Sequence, residues 1–211
     1  MHDFELANVV ASRICHDLVG PVGAVVNGVD LIREIGVGDV EDELGMVGQS
    51  GRRAADLLQF YRIAFGAAAP EDTAIKRDVL NCLAGMFVAS DRVMLSWPST
   101  RGPDLSRQEA RLLFQMLMCA RAIAGMRGEI GVELAAEASF PLRISIHPHG
   151  NGHGGPARLN AEMVEIASAP DQPPLTPRLI EFSLVRISAD ALGVTLGVAE
   201  VDGAVTLLAE D

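Results

Sequence analysis

The residues best suited to do chemistry lie in one run near the start of the chain, Ser12-Arg13-Ile14-Cys15-His16-Asp17-Leu18-Val19-Gly20-Pro21-Val22. At about 100° per helical residue, Ser12, His16, Gly20, Gly23 and Asn27 share one face. The stripe Ile14, Leu18, Val22, Val25, Val29 and Ile32 lies opposite, so the spacing predicts that His16 points into solvent. A neutral imidazole offers a nucleophilic nitrogen at physiological pH, while its second nitrogen holds a proton that an acceptor can orient. Asp17 is the expected acceptor, and Arg13 the cation that offsets a phosphoryl charge. The chemistry that fits is phosphoryl transfer, in which positioning dominates.

Ser12, Gly20, Gly23 and Asn27 are the expected partner-binding surface, because small residues let another protein approach closely. Gly20 and Gly23 each weaken a helix by about 1 kcal/mol relative to alanine, and Pro21 removes the bond to the Asp17 carbonyl and should kink the helix. Three helix breakers beside one histidine indicate that access there outweighs local stability. The plain alternative is a surface histidine without a role. A Cys15–His16 thiol dyad is excluded, since adjacent helical side chains point about 100° apart.

Two long helices, within residues 3–68 and joined by the turn Ile35 to Asp39, are expected to position this segment. In the second helix, Leu44, Val47, Gly51, Ala54, Leu58, Tyr61 and Phe65 form an alternating three-four seam. Asp39 is expected to cap that helix, and Glu41, Asp42 and Glu43 suit its dipole. Two helices alone leave half of each apolar stripe wet. The expectation is therefore a homodimer in which two hairpins form a four-helix bundle. The alternative is a hairpin folded back onto its own C-terminal half.

The chain divides into a hairpin domain, 1–69, and an α/β sandwich, 74–211, with a linker between Gly66 and Thr73. In the second domain, helices are expected at 75–90, 106–124, 159–168 and 176–190. Strands are expected at Val93–Trp97, Gly131–Ala136, Leu142–His147, 193–201 and 204–209. Ser106 and Glu109 form a capping box, and Asp202-Gly203 a hairpin turn. A glycine-rich loop runs from Pro148 to Pro156.

With 28 acidic against 17 basic residues the net charge is −11. Such a field repels nucleic acid and anionic membranes and directs attention to protein partners. No uninterrupted apolar run reaches membrane length, and the N-terminus lacks the features of an export signal, so a cytoplasmic location is expected. Cys15, Cys82 and Cys119 read as reduced, packed thiols. His147, His149 and His153 share one loop but lack the fourth ligand of a structural zinc site, and no metal site is expected.

His16, followed by Asp17, Leu18 and then Pro21, resembles the phosphoacceptor box of histidine kinase dimerisation helices. The longer run from His16 through Gly20-Pro21-Val22-Gly23-Ala24 to Asn27-Gly28 and Asp30-Leu31 resembles the ChpT-like histidine phosphotransferases of alphaproteobacteria. That resemblance implies a dimerisation hairpin followed by a degenerate kinase ATPase-like domain, over essentially the whole chain. It implies that His16 is the phosphoacceptor of a homodimer. Its partners would be the receiver domain of a hybrid histidine kinase and the response regulators of a cell-cycle phosphorelay. No intrinsic cofactor is implied, because Mg2+ would come with the receiver. No nucleotide site is expected either. The helix at 106–124 has no asparagine for a cation, no acidic glycine box follows, and Gly150 to Gly155 reads either as the relic of a nucleotide lid or, more plainly, as a flexible linkage. The rival readings are an ATP-dependent sensor kinase and a dimeric adaptor that docks receivers without accepting phosphate.

Overall fold

The computed structural model describes residues 2–36, 40–66, 74–88, 93–97, 104–125, 127–134, 140–147, 163–164, 179–201 and 203–210. Helices α1 (His2–Ile35) and α2 (Glu41–Ala64) form the expected antiparallel hairpin. Helix α1 runs for 34 residues and continues through Pro21. The N-cap of α2 falls on Val40, which makes no side-chain capping bond. The expected cap, Asp39, lies outside the described residues, and Glu41, Asp42 and Glu43 are left to favour this helix end through their charge.

The second domain comprises α3 (Arg77–Val88), β1 (Val93–Ser96), α4 (Arg107–Ala124), β2 (Gly128–Leu134), β3 (Leu142–His147), α5 (Ile180–Leu192), β4 (Thr195–Val201) and β5 (Ala204–Glu210). Its five strands form one mixed sheet in the order β1-β2-β3-β5-β4. The β1–β2 pair is parallel and spanned by α4, whereas the other pairs are antiparallel. Strand β2 begins three residues before the expected Gly131, because pairing of Val93 with Gly128 recruits two residues of weak strand propensity. Alternation then places Ile130, Val132, Ile144, Ile146, Val205 and Leu207 in the core.

Helix α4 packs against this sheet and against α2, α3 and α5, and nine consecutive residues, Leu112 to Ala120, are buried. Its start has the capping box, with Ser106 accepting from Glu109 N at 3.3 Å and Glu109 accepting from Ser106 N at 2.6 Å. Helix α5 ends at Gly193, whose φ of 75° is the left-handed geometry that glycine adopts freely. Of the expected helix at 159–168, only Met163 and Val164 fall within the described residues, and both are helical. The loop containing His149 and His153 lies outside them, as does most of the linker.

The hairpin is seated in the second domain. Leu57, Phe60, Tyr61, Ile63 and Ala64 of α2 are buried in the same core as α3, α4 and the sheet. Phe60 stacks between Phe87, at 3.8 Å between ring centroids, and Phe114, at 4.5 Å. Backbone carbonyls at the helix end are taken by α4: Gln115 donates to Ala64 at 2.9 Å, and Arg111 donates to Gly66. The fold-back alternative therefore describes the last two turns of α2. Farther along, Leu44 and Leu58 of the expected seam are exposed, while Val47 and Ala54 are half-buried.

Val22 is a correction on α1, because it does not pack on α2 with the rest of its stripe. It is exposed on one face with Val19 and Val26. In the helical projection this face, and the Leu44–Leu58 face of α2, both lie away from Pro21, Ala24, Arg53 and Leu57 on the hairpin's other side. Phe4–Ile35 is also long and apolar enough to cross a membrane by length and composition, although its apolar run is interrupted. All three cysteines are unpaired as expected, but only Cys119 is packed. Cys15 and Cys82 are exposed, since the apolar positions near them belong to uncovered helix faces.

Candidate functional site

His16 projects from the middle of α1 with 83% of its side-chain surface exposed. Ser12, Gly20 and Asn27 on the same face are exposed as well, and Gly23 is half-buried. A methyl group added at Gly20 or Gly23 would meet no atom within 4 Å, so the surface beyond the imidazole is open.

The next residue turns the other way. Asp17 lies about 100° around the helix, between α1 and the second domain. Its two oxygens have separate tasks. Oδ1 lies 2.9 Å from His16 Nδ1, while Oδ2 accepts from Arg13 Nε at 3.1 Å and from the Tyr61 hydroxyl of α2. With Nδ1 donating to the Asp17 carboxylate, the neutral form of this largely exposed ring carries its lone pair on Nε2. Burial works to raise the Asp17 pKa, but hydrogen bonds from His16 and Tyr61 and the Arg13 charge outweigh it and hold the carboxyl below its ordinary range. Burial and the same carboxylate push the Tyr61 phenol upward, so it remains a hydrogen-bond donor well into alkaline conditions.

Arg13 faces two carboxylates. Besides Asp17, its Nη1 lies 3.7 Å from Oε1 of Glu181, which α5 buries to 2% exposure. Burial opposes the guanidinium charge, yet Glu181 and Asp17 together raise its pKa. Burial dominates at Glu181 and pushes that carboxyl up, with Arg13 pulling in the opposite direction.

A cavity of about 500 Å³ opens beside His16, lined by Arg13, Asp17, Gly20, Pro21, Arg53, Leu57, Phe87, Arg121 and Ala122. Arg53 of α2 donates to the carbonyls of Met86 and Phe87, and Arg121 of α4 to that of Gly125. Three guanidiniums thus border the cavity next to an unhindered ring nitrogen, an arrangement suited to a phosphoryl group or an acidic protein surface. A second cavity of about 530 Å³ continues along Gly20, Pro21 and Ala24 on one helix and Gln49 to Asp56 on the other.

His16, Asp17 and Arg13 are therefore brought together as the sequence predicted. Sequence reasoning did not single out Arg53, Arg121 or Glu181, and it placed Tyr61 only in the apolar seam. An acid set between Ile180 and Phe182 on an apolar stretch of helix was the available signal for Glu181. A single tyrosine, whose hydroxyl needs a partner when buried, was the signal for Tyr61.

Residues 76–204 match the family model described as the histidine phosphotransferase C-terminal domain. The chain belongs to the histidine phosphotransferase family. Within it, Protein phosphotransferase ChpT of Brucella abortus (strain 2308) is 32% identical over 137 residues, which are 65% of this chain and 64% of the Brucella protein. The match spans just under two thirds of that relative's length. The phosphotransferase fold extends further, since a bacterial phosphotransferase solved at 1.7 Å superposes with a TM-score of 0.75 and 26% identity over 98% of this chain and 96% of the other. A histidine kinase domain from Erythrobacter litoralis gives a TM-score of 0.45 and 16% identity over 98% of this chain and 90% of the other.

Proposed function

We propose that this histidine phosphotransferase accepts a phosphoryl group on His16 Nε2 from the phosphoaspartate of one receiver domain and delivers it to the aspartate of another, without ATP. One observation carries the reading: an exposed imidazole whose Nδ1 is held 2.9 Å from a half-buried carboxylate, leaving Nε2 free. Nε2 attacks phosphorus in line with the acyl oxygen, the Nε2–P bond forms, the O–P bond breaks, and the receiver's carboxylate leaves with the electron pair. The ring gains positive charge, which Asp17 stabilises through the Nδ1 proton. The reverse sequence loads the second receiver. Arg53 and Arg121 offer positive charge to the phosphoryl oxygens, with Arg13 already engaged by two carboxylates. The divalent cation that balances the receiver's own acidic pocket comes with the receiver.

The donor in this reading is the receiver domain of a hybrid kinase, the acceptors are response regulators, and the exchange takes place in the cytoplasm. Family membership and the Brucella relative's designation as a protein phosphotransferase support transfer between proteins. The active unit is a homodimer. Val19, Val22 and Val26 on α1 and Leu44 and Leu58 on α2 are each at least 48% exposed, and a second copy of the hairpin would cover them as a four-helix bundle. The side bearing the cavities would then remain open to receivers. Incubation with a panel of phosphorylated receiver domains tests the proposal: label should appear without nucleotide, and His16→Ala should abolish it while preserving the fold. Labelling of His16→Ala at the unmutated rate refutes it.

A further inference from the structure

The side chains around Asp17 form a chain that crosses the boundary between the two domains. Glu181 lies on α5, 165 positions from His16 in the sequence, and contacts neither the imidazole nor the cavity beside it. It is 2% exposed, its Oε1 lies 3.7 Å from Arg13, and its Oε2 has no hydrogen-bond partner among the described residues. A buried acid in this setting is unfavourable unless it holds a cation, and Arg13 is the cation it faces. Arg13 in turn donates through Nε to Asp17 Oδ2, the oxygen that also accepts from Tyr61.

A carboxylate on a short side chain can present either oxygen to a neighbour. Two donors fixed on Oδ2, one from α1 and one from α2, stop that rotation and assign Oδ1 to His16. Arg13 can serve as such a donor only while its own rotamer is fixed, and its Nη1 is anchored from the second domain. We infer that Glu181 is a positioning residue for phosphoryl transfer, acting through Arg13 to hold Asp17 in the orientation that keeps the His16 proton on Nδ1. The inference rests on His16 being the phosphoacceptor. It gives α5 a function beyond packing: an element that does not border the cavity beside His16 fixes the proton on the phosphoacceptor ring.

The test combines kinetics with a direct view of the ring. Transfer from a phosphorylated receiver domain is timed for the full-length protein, Glu181→Gln, Arg13→Lys and the double variant. Ring 15N shifts identify the neutral tautomer of His16 in each, and circular dichroism confirms folding. The unmutated protein should show the Nδ1–H tautomer. Glu181→Gln should transfer about tenfold more slowly, the scale of a small misplacement at a reacting centre, and should show a mixture of tautomers. Because both residues act along one path, adding Glu181→Gln to Arg13→Lys should cause no further loss. A folded Glu181→Gln protein with unmutated rate and tautomer overturns the inference, and so do losses that multiply in the double variant. Should Glu181→Gln not fold, Arg13→Lys decides alone, and an unmutated tautomer in that variant overturns the inference. None of these results alters whether His16 is labelled, so the inference can fail while the proposed function stands.

Discussion

The chain contains one tyrosine, so tyrosinate absorbance reports Tyr61 alone and gives a direct reading of the hydrogen bond behind the proposed phosphoacceptor. The perturbation is Asp17→Asn. Tyr61 is 3% exposed, and burial is the largest cause of its raised pKa, followed by the hydrogen bond and charge of Asp17. Asparagine keeps the shape and an acceptor oxygen but removes the charge. A hydrogen bond to a charged group contributes about 1.5–3 kcal/mol and a neutral one about 0.5–1.5, so the difference is about 1 kcal/mol or slightly more. At 1.36 kcal/mol per pH unit, the tyrosinate midpoint should fall by about one unit. It should still lie above that of free tyrosine, because burial persists. The sign for stability follows from the raised folded value: this contribution is fully present below the unfolded pKa near 10 and is lost as pH rises through the folded pKa. The assay is absorbance at the tyrosinate band from neutral to strongly alkaline pH, with circular dichroism recorded alongside to confirm folding. A midpoint equal to that of free tyrosine in the unmutated protein refutes the reasoning. An unchanged midpoint in Asp17→Asn refutes the assignment of the hydrogen bond.

Three further outcomes are expected. Phe60→Ala should lower stability by about 3–5 kcal/mol and split thermal unfolding into two transitions, because the Phe87–Phe60–Phe114 stack seats the hairpin; a single transition at the unmutated midpoint contradicts this. Val22→Glu with Leu58→Glu should convert the proposed dimer into a folded monomer by light scattering, and an unchanged dimer mass would place the contact elsewhere. Among the cysteines, Cys15 and Cys82 should react promptly with a thiol reagent, while Cys119 should wait for unfolding because burial raises its pKa and excludes the reagent. Three fast thiols would contradict its burial.

The candidate site on α1 was legible because helical periodicity fixes which side chains share a face. The separation of His16 from Asp17 follows from one 100° step, and the open surface at Gly20 and Gly23 follows from the absence of side chains. The capping box at Ser106 and the β4–β5 hairpin were legible for similar local reasons. What could not be read were contacts between elements distant in sequence. Tyr61 fits an apolar seam as well as it fits a donor to Asp17, and only the relative placement of α1 and α2 decides between them. Arg53 and Arg121 border the cavity beside His16 and Glu181 faces Arg13, and these three helices meet there only through the way the hairpin seats in the second domain. That seating also explains the partial failure of the seam. Its C-terminal end is buried by the chain itself, Val47 and Ala54 are half-buried, and Leu44 and Leu58 stay exposed.

The proposed relay requires a covalent bond between phosphorus and one ring nitrogen. After incubation with a phosphorylated receiver domain and no nucleotide, peptide mapping by mass spectrometry under alkaline conditions should find one added phosphoryl group on His16. The adduct should be labile to acid, stable to base, and identified at Nε2 by ring nitrogen shifts. A phosphoryl group on any other residue, or no adduct on His16 while phosphate still passes between receivers, would contradict the account.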